Sequence, residues 1–230
     1  MKVRCSQLLF LFILFSCFFC AGSVRAETLV ADTEISADTT WTKADSPYVI
    51  SADVTVDSGS TLTIEPGVIV KFDNSFLNID GTLLAEGTAV DKIYFTSIKD
   101  DSLGGDTNGD GGASNPSESD EGGVALYAGS GSSHLAHASF HYLRDPLYFD
   151  STTLELDTID IQHCDTAIST YASTLGVTNS TIAHLGFDGI DGYGGSSVTV
   201  ASTTIEDVGG SALGMYDGSA LTLKSSTIKD

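Results

Sequence analysis

STLGVTNSTIAHL (residues 173–185) has a pattern that four other segments of the chain repeat at regular intervals. These segments are SHLAHASFHYL (133–143), TLELDTIDIQHC (153–164), SVTVASTTIEDV (197–208) and ALTLKSSTIKD (220–230). In each one an apolar residue stands five positions before a large apolar residue, and the large residues recur every 21 to 23 positions. The large residues are Phe140, Ile161, Ile182, Ile205 and Ile228, and the earlier ones are Leu135, Leu156, Val177, Val200 and Leu223. Because apolar and polar residues alternate within the segments, the pattern predicts short strands with one buried face.

A second apolar series keeps nearly the same period, through Leu126, Leu147, Ile168, Ile190 and Leu213. Units of this length contain several short strands and cannot each enclose a core, so they must stack on one another. The simplest architecture is all-β, a parallel solenoid in which equivalent residues of successive coils lie ~4.8 Å apart. We therefore predict coils of about 21–23 residues, with regular coils over residues 124–230. A helical repeat is disfavoured because the chain has no 3.6-residue periodicity.

Residues 41–99 show the same strand-like alternation with a different spacing, and Pro66-Gly67 and Asp80-Gly81 are typical corner residues. Two of their segments, TLTIEPGVIVKF (61–72) and GTLLAEGTAVDKIYFTS (81–97), resemble the N-terminal coils of right-handed parallel β-helix proteins. These proteins form the pectin-lyase-like superfamily, which many bacteria export. The resemblance implies this fold from about Trp41 to Asp230. It implies no single function, because the fold hosts lyases, hydrolases, adhesins and stalks.

Residues 1–26 have the layout of a secretory signal peptide, with Lys2 and Arg4 ahead of an apolar run and small residues before Ala26. We therefore expect a secreted or cell-surface protein whose mature β-helix domain, residues 27–230, has no transmembrane segment. Loss of this leader removes three of the 10 basic residues and none of the 31 acidic ones, so the mature net charge is −24. That charge argues against nucleic acid and anionic membranes as partners.

Residues 100–123 form an acidic loop rich in glycine and aspartate that interrupts the coils. Its segment DTNGDG (106–111) matches the front half of an EF-hand-type calcium loop, which places oxygen ligands at alternate positions before a glycine turn. We expect Ca²⁺ as the cofactor, with ligands drawn from Asp106, Asn108, Asp110, Gly112 and Glu118. The back half departs from the pattern, because position twelve is a serine and Glu118 follows one residue late. The alternative is a solvated insertion without an ion.

Two residues after the central apolar positions, the repeat aligns five residues in one column: Tyr142, His163, His184, Asp207 and Asp230. Two imidazoles and a carboxylate at this spacing can bind zinc or exchange protons. The alternative, which we favour, is a column of stacked side chains without a site. Serine and threonine residues that recur before the central isoleucines predict hydroxyl ladders along the stack; they are Ser180, Thr181, Thr203, Thr204, Ser226 and Thr227.

Catalytic signatures are weak. Lyases of the superfamily use arginine and lysine with calcium, whereas the mature chain has one arginine, Arg144, which the alignment pairs with Asp165. The Gly-His-Gly and Arg-x-Lys segments of the family's hydrolases do not occur. We predict a binding or structural module for carbohydrate or surface adhesion, with a polysaccharide or cell-surface glycan as partner. A calcium-assisted polysaccharide lyase or glycoside hydrolase, and a passive stalk, are the alternatives.

The last segment stops at Asp230 in mid-coil and does not resemble a capping segment. An uncapped coil exposes apolar stacking surface and unpaired strand edges. We therefore expect the chain to be a fragment, in which catalytic coils or an anchor could follow.

Overall fold

A computed structural model describes residues 27–229, so the signal peptide expected at 1–26 and the terminal Asp230 lie outside the described residues. Within this range, 25 strands form three parallel sheets, which confirms the all-β parallel solenoid. One 3-10 turn, Lys43–Asp45, is the single helical element between residues 27 and 229. Over the same range no helix has the length and apolar character needed to cross a membrane.

Each complete coil contributes one strand to each of three sheets, A, B and C. Sheet A contains β1 (Thr28–Val30), β4 (Tyr48–Ile50), β7 (Ile69–Phe72), β10 (Ile93–Ser97), β13 (Ala138–His141), β16 (Asp160–Gln162), β19 (Thr181–Leu185), β22 (Thr204–Val208) and β25 (Thr227–Lys229). Sheet B contains β2 (Glu34–Ile35), β5 (Val54–Val56), β8 (Ser75–Ile79), β11 (Gly122–Leu126), β14 (Leu147–Asp150), β17 (Ile168–Tyr171), β20 (Ile190–Tyr193) and β23 (Leu213–Met215). Sheet C contains β3 (Thr39–Trp41), β6 (Thr61–Ile64), β9 (Thr82–Glu86), β12 (His134–Ala136), β15 (Thr153–Asp157), β18 (Thr174–Thr178), β21 (Ser197–Ala201) and β24 (Ala220–Lys224).

The strand register confirms the main repeat. The large apolar residues of the five segments are direct neighbours in sheet A, in the order Phe140, Ile161, Ile182, Ile205 and Ile228. The second series holds from Leu147 onward and is wrong at its first member, since Val124 pairs with Leu147 and Leu126 pairs with Phe149. The acidic loop causes this error, because an insertion changes the count between one coil and the next.

The solenoid also begins earlier than Trp41, because β1 pairs with β4. The N-terminal coils vary in spacing: paired residues are 20 positions apart between β1 and β4, 23 between β5 and β8, and 25 between β7 and β10. The different spacing expected for residues 41–99 is therefore confirmed. Corners of different length cause this variation.

Inward-facing apolar side chains form one continuous core along the solenoid axis. Phe95 and Phe140 stack with ring centroids 4.6 Å apart, and both are fully buried. Each such side chain contributes about 1.5–3 kcal/mol when it is removed from water. Cys164 lies in the same core, is fully buried and is a free thiol. Burial raises the pKa of its thiol to about 12, so the side chain acts as a small apolar residue.

Hydroxyl ladders connect successive coils at one corner. Of the six serine and threonine residues expected in such ladders, three take part: Ser180, Thr203 and Ser226. The Ile159 N–H donates to Ser180 Oγ at 3.0 Å, the Ser180 N–H to Thr203 Oγ1 at 3.3 Å, and the Thr203 N–H to Ser226 Oγ at 3.2 Å. These hydroxyls satisfy corner N–H groups that no strand partner reaches. The other three residues, Thr181, Thr204 and Thr227, lie within β19, β22 and β25.

The acidic loop, expected at residues 100–123, lies in the connection of β10 to β11 over residues 98–121, and Gly122 and Gly123 already belong to β11. Lys71, a fully buried residue of β7, holds it: the ammonium group donates to the carbonyl oxygens of Asp100 at 2.8 Å and Gly105 at 2.6 Å. Burial lowers the pKa of Lys71, and the nearby acidic groups Asp100, Asp101 and Asp106 oppose that effect. The hydrogen bonds from Lys71 therefore fix the loop to sheet A of the solenoid.

Candidate functional site

A groove of about 860 Å³ runs along the outer face of sheet B. It crosses six neighbouring strands, from β5 to β20, and therefore extends over about 24 Å at ~4.8 Å per strand. We call it the tyrosine groove. Its aromatic lining consists of Phe76, Tyr127, Tyr148, Tyr171 and Tyr193; its acidic lining of Asp53, Asp80 and Asp145; and its remaining lining of Thr55, Asn78, Ala125 and Ser169. The groove is long and open, a shape suited to an extended ligand.

Strand alternation puts these side chains on the outside. Asn78 pairs with Ala125, Ala125 with Tyr148, and Tyr148 with Ser169, so one outward column runs through the floor of the groove. The residues on either side of this column, such as Leu147 and Phe149, point inward and are fully buried. The packed core thereby holds the floor of the groove in one conformation.

Tyrosines follow the coil period on this face, a signal of the sequence that we did not use. Tyr171 and Tyr193 are direct neighbours, whereas Tyr148 lies in the column of Ala125 and Ser169. Five tyrosines recur at separations of 21, 23, 22 and 23 residues, and they are Tyr127, Tyr148, Tyr171, Tyr193 and Tyr216. Tyr193 and Tyr216 stack with ring centroids 5.0 Å apart. Tyr171 is 49% exposed, and its ring lies 2.7 Å from the point that a Cβ would occupy at Gly194. Gly194 has a φ of +61°, a left-handed conformation that favours glycine, and a Cβ at this position would collide with the Tyr171 ring. The turn and the packing of the ring therefore both require a glycine.

Negative charge surrounds the phenol groups of the groove. Burial raises the pKa of Tyr127, and the carboxylates of Asp80, Asp150 and Asp53 raise it further. Burial also raises the pKa of Tyr148, with Asp150 as the next contribution. The phenols therefore stay protonated at neutral pH and can donate hydrogen bonds to a ligand.

A buried pair of carboxyl groups lies behind Tyr193. Asp191 is 4% exposed and accepts a hydrogen bond from the Tyr193 hydroxyl at 3.2 Å, while its other oxygen has no hydrogen-bond partner. Asp188 is also buried and accepts from the Ser211 N–H at 2.6 Å. Burial raises the pKa of Asp191, and Asp188 raises it further. Burial and the Asp191 charge raise the pKa of Tyr193 to about 12.

The acidic loop contains a second candidate site, suited to a cation. Ligand oxygens of Asp101, Asp106 and Asp110 lie within 4.8 Å of one another. Oδ1 of Asp101 is buried and has no hydrogen-bond partner. An unpartnered buried oxygen beside two other carboxylates fits a hard cation such as Ca²⁺, which takes oxygen ligands.

Backbone N–H groups fold the loop around Asp110. Its carboxylate accepts from the N–H groups of Gly112 at 2.7 Å and Ser114 at 2.9 Å, and from the Ser114 hydroxyl. The Ser114 hydroxyl is the main cause that lowers the pKa of Asp110, so this group stays ionised in mild acid. Asn108 donates to Asp110 Oδ2 at 3.1 Å and so lies in the same turn.

The structure brings four of the five expected calcium ligands together: Asp106, Asn108, Asp110 and Gly112. Glu118 lies elsewhere, with its carboxyl carbon 2.7 Å from the point that a Cβ would occupy at Gly186. Asp101 joins the cluster although it precedes the matched motif. A motif that counts forward from Asp106 cannot find it, because Asp101 reaches the cluster through the fold of the loop.

The histidine column forms a stack, as the favoured alternative predicts. The ring centroids of Tyr142 and His163 are 5.4 Å apart, and those of His163 and His184 are 5.1 Å apart. His184 Nδ1 lies 2.6 Å from Asp207 Oδ2. All four residues adopt a left-handed backbone with φ between 53° and 56°, which turns the chain from sheet A to sheet B. Nitrogen lone pairs lie in the ring planes, so two parallel rings do not direct them to one ion.

Arg144 has partners other than the expected Asp165. Its guanidinium lies 2.7 Å from Glu121 Oε1 and 3.0 Å from Asp145 Oδ2. The pairing with Asp165 is therefore wrong, because the end of the acidic loop brings Glu121 closer. Arg144 connects that end of the loop to the next coil.

Comparison with known proteins places the solenoid in a wider group. A family model described as "Right handed beta helix region" matches residues 108–230, more than half of the chain. "Protein bark beetle" of Drosophila melanogaster is 40% identical over 65 residues, which make up 28% of this chain and 2% of that protein. The chain thus matches a small part of this relative's length. No solved structure matches the chain significantly.

Proposed function

We propose that this chain, which belongs to the right-handed beta helix family, is a binding module that takes an extended glycan in the tyrosine groove. The observation that carries the proposal is the lining of the groove, in which four tyrosines and a phenylalanine share six coils with three carboxylates and one amide. A sugar ring has apolar C–H faces and a rim of hydroxyl groups. Tyrosine rings provide the apolar contact, and oxygen acceptors provide the hydrogen bonds.

The coil spacing supports an extended glycan over a compact ligand. Side chains that repeat every ~4.8 Å along the groove can contact a chain of similar units in the same way at each coil. Tyr171, half exposed at the centre of the exposed aromatic face, is the side chain best placed to stack on a sugar. Carbohydrate recognition of this kind suits adhesion to a surface glycan.

A glycan array identifies glycans that the protein binds, and titration of the protein with one of them tests the proposal. We expect Tyr171→Ala to weaken binding about tenfold or more, because loss of one aromatic contact removes about 1–3 kcal/mol. Tyr94→Ala is the control, since it removes the same type of side chain from sheet A, outside the groove. Shortening of the glycan during incubation would favour the hydrolase or lyase alternative. Absence of binding to every glycan would favour a passive stalk.

We further propose that the protein is secreted and acts outside the cell, by adhesion at a surface. The signal-peptide pattern of residues 1–26 and the net charge of the remaining chain support this location. Mass spectrometry of the exported protein tests it, with a mature N-terminus near Glu27 as the expected result. An unprocessed N-terminus at Met1 in a cytosolic fraction would contradict it.

We also propose that the acidic loop binds Ca²⁺ through Asp101, Asp106 and Asp110. The unpartnered Asp101 oxygen and the approach of three carboxylates support the ion, which would neutralise their mutual repulsion. Its role would be to stabilise the loop, and no catalytic step depends on it.

Thermal unfolding with calcium and with chelator tests the calcium site. We expect calcium to raise the Tm of residues 27–230, and we expect Asp106→Ala with Asp110→Ala to abolish the rise. Glu118→Gln is the matched control and should keep the full effect, because Glu118 lies beside Gly186. Equal melting curves of the unmutated protein in calcium and in chelator would contradict the site.

A further inference from the structure

The lining of the tyrosine groove is negatively charged, with its aspartates at the coils of β5, β8 and β14, and this restricts the ligand. Its lining contains three aspartates and no lysine, arginine or histidine among the residues described. Asp150, just outside the lining, adds a fourth carboxylate that acts on Tyr127 and Tyr148. We propose that the groove selects glycans that carry free amino groups over neutral glycans and excludes polyuronates. This inference rests on the glycan-binding function proposed above.

The four carboxylates do not contribute equally. Asp145 lies 3.0 Å from the Arg144 guanidinium, so a cation of the protein already compensates its charge. The ion pairs of residues 27–229 otherwise use carboxylates outside the groove. Asp53, Asp80 and Asp150 therefore carry the uncompensated charge.

Two of these carboxylates, Asp80 and Asp150, flank Tyr127, because Ile79, Leu126 and Phe149 are neighbours in sheet B and each directly precedes one of the three residues. One oxygen of Asp53 accepts from the Phe76 N–H at 2.8 Å, and one oxygen of Asp150 accepts from the Ser151 hydroxyl at 2.7 Å. Such bonds orient a carboxylate and leave its second oxygen directed elsewhere. Asp80 and Asp150 thus place carboxylate acceptors on the two coils next to Tyr127, where an ammonium group of a ligand can bind.

The tyrosine rings add to the same preference. A cation over the face of a tyrosine is attracted by the electron density of the ring. Tyr171 exposes about half of its surface in the groove. An amino sugar can therefore place its apolar face or its ammonium group on aromatic surface, while its charge lies near the aspartates. A uronate at the same position meets like charge and lacks a basic partner in the lining.

Titration of the intact protein with three oligomers of equal length tests the inference. The probes are a glucosamine oligomer, its fully N-acetylated form and an oligogalacturonate. We expect the glucosamine oligomer to bind about tenfold more tightly than the acetylated form. Three charge pairs of the strength usual at an exposed protein surface together account for such a difference in affinity. The difference should shrink in high salt, and the oligogalacturonate should not bind.

A charge variant assigns the effect to the groove. Asp53→Asn, Asp80→Asn and Asp150→Asn together should make the amino and acetylated oligomers bind equally. The matched control, Asp32→Asn with Glu86→Gln and Glu155→Gln, removes three exposed charges outside the groove and should keep the preference.

Three outcomes would overturn the inference. Equal binding of the amino and acetylated oligomers by the unmutated protein would remove the amino preference and leave the glycan-binding function intact. Displacement of the glucosamine oligomer by a lysine-rich peptide at much lower concentration would identify a basic peptide as the ligand. Absence of binding to these oligomers and to every glycan of the array would overturn both proposals.

Discussion

Asp191 offers a test at the scale of one residue, because its buried carboxyl group lies beside Asp188. Folding raises the pKa of Asp191, so the native state binds more protons than the unfolded chain and stability falls as the pH rises above about 3.9. We expect Asp191→Asn to raise the free energy of unfolding at neutral pH, because the substitution removes the buried charge. The gain should vanish below the unfolded pKa, and urea unfolding at several pH values measures it.

Asp217→Asn is the control for this change, since it removes one exposed charge from a neighbouring corner. The pH dependence assigned to Asp191 should persist in this variant. A loss of stability in Asp191→Asn at neutral pH would show that the carboxylate makes a favourable contact that outweighs its burial.

At the scale of one element, the acidic loop depends on Lys71. Replacement by methionine, Lys71→Met, keeps the apolar stem and removes the donor to the carbonyl oxygens of Asp100 and Gly105. We expect the free energy of unfolding to fall by about 1–3 kcal/mol, the usual cost of unsatisfied buried polar groups. Cleavage of the native protein by a glutamate-specific protease at Glu118 or Glu121 should accelerate.

Lys92→Met is the matched control for the loop. Lys92 also belongs to the sheet A side of a coil, but its ammonium lies 3.2 Å from Asp160 in a partly exposed ion pair. Pairs of this kind contribute about 0–1 kcal/mol. Similar protease resistance of the Lys71 and Lys92 variants would mean that Lys71 does not hold the loop.

At the scale of the whole molecule, stability depends on how well each coil is covered by its neighbours. Ile205 and Ile228 occupy the same column of sheet A, yet Ile205 is fully buried and Ile228 is 43% exposed. We expect Ile205→Ala to lower the free energy of unfolding by about 2–5 kcal/mol, as a core truncation does. Ile228→Ala should cost less than half as much, and urea unfolding of both variants measures the difference. Equal losses would indicate that Ile228 is covered in solution.

The sequence predicts more of the fold than of the site. The column from Phe140 to Ile228 can be found by counting, because every coil must place a large apolar residue over the last one. Counting fails across the acidic loop, where Val124 and not Leu126 continues the second series. Counting can find the tyrosines, which recur every 21 to 23 residues, but it cannot tell which other side chains share the groove with them, because that depends on the register of the coils.

The sequence by itself determined the strands, the parallel stack and the coil length, because alternation and a period of 21 to 23 residues leave no other way to bury the apolar faces. Only the tertiary structure decided which polar and aromatic residues meet. Stacking places residues that are a whole coil apart in sequence at ~4.8 Å from one another. The tyrosine groove and the cluster of Asp101, Asp106 and Asp110 depend on register and loop path, which no local pattern encodes.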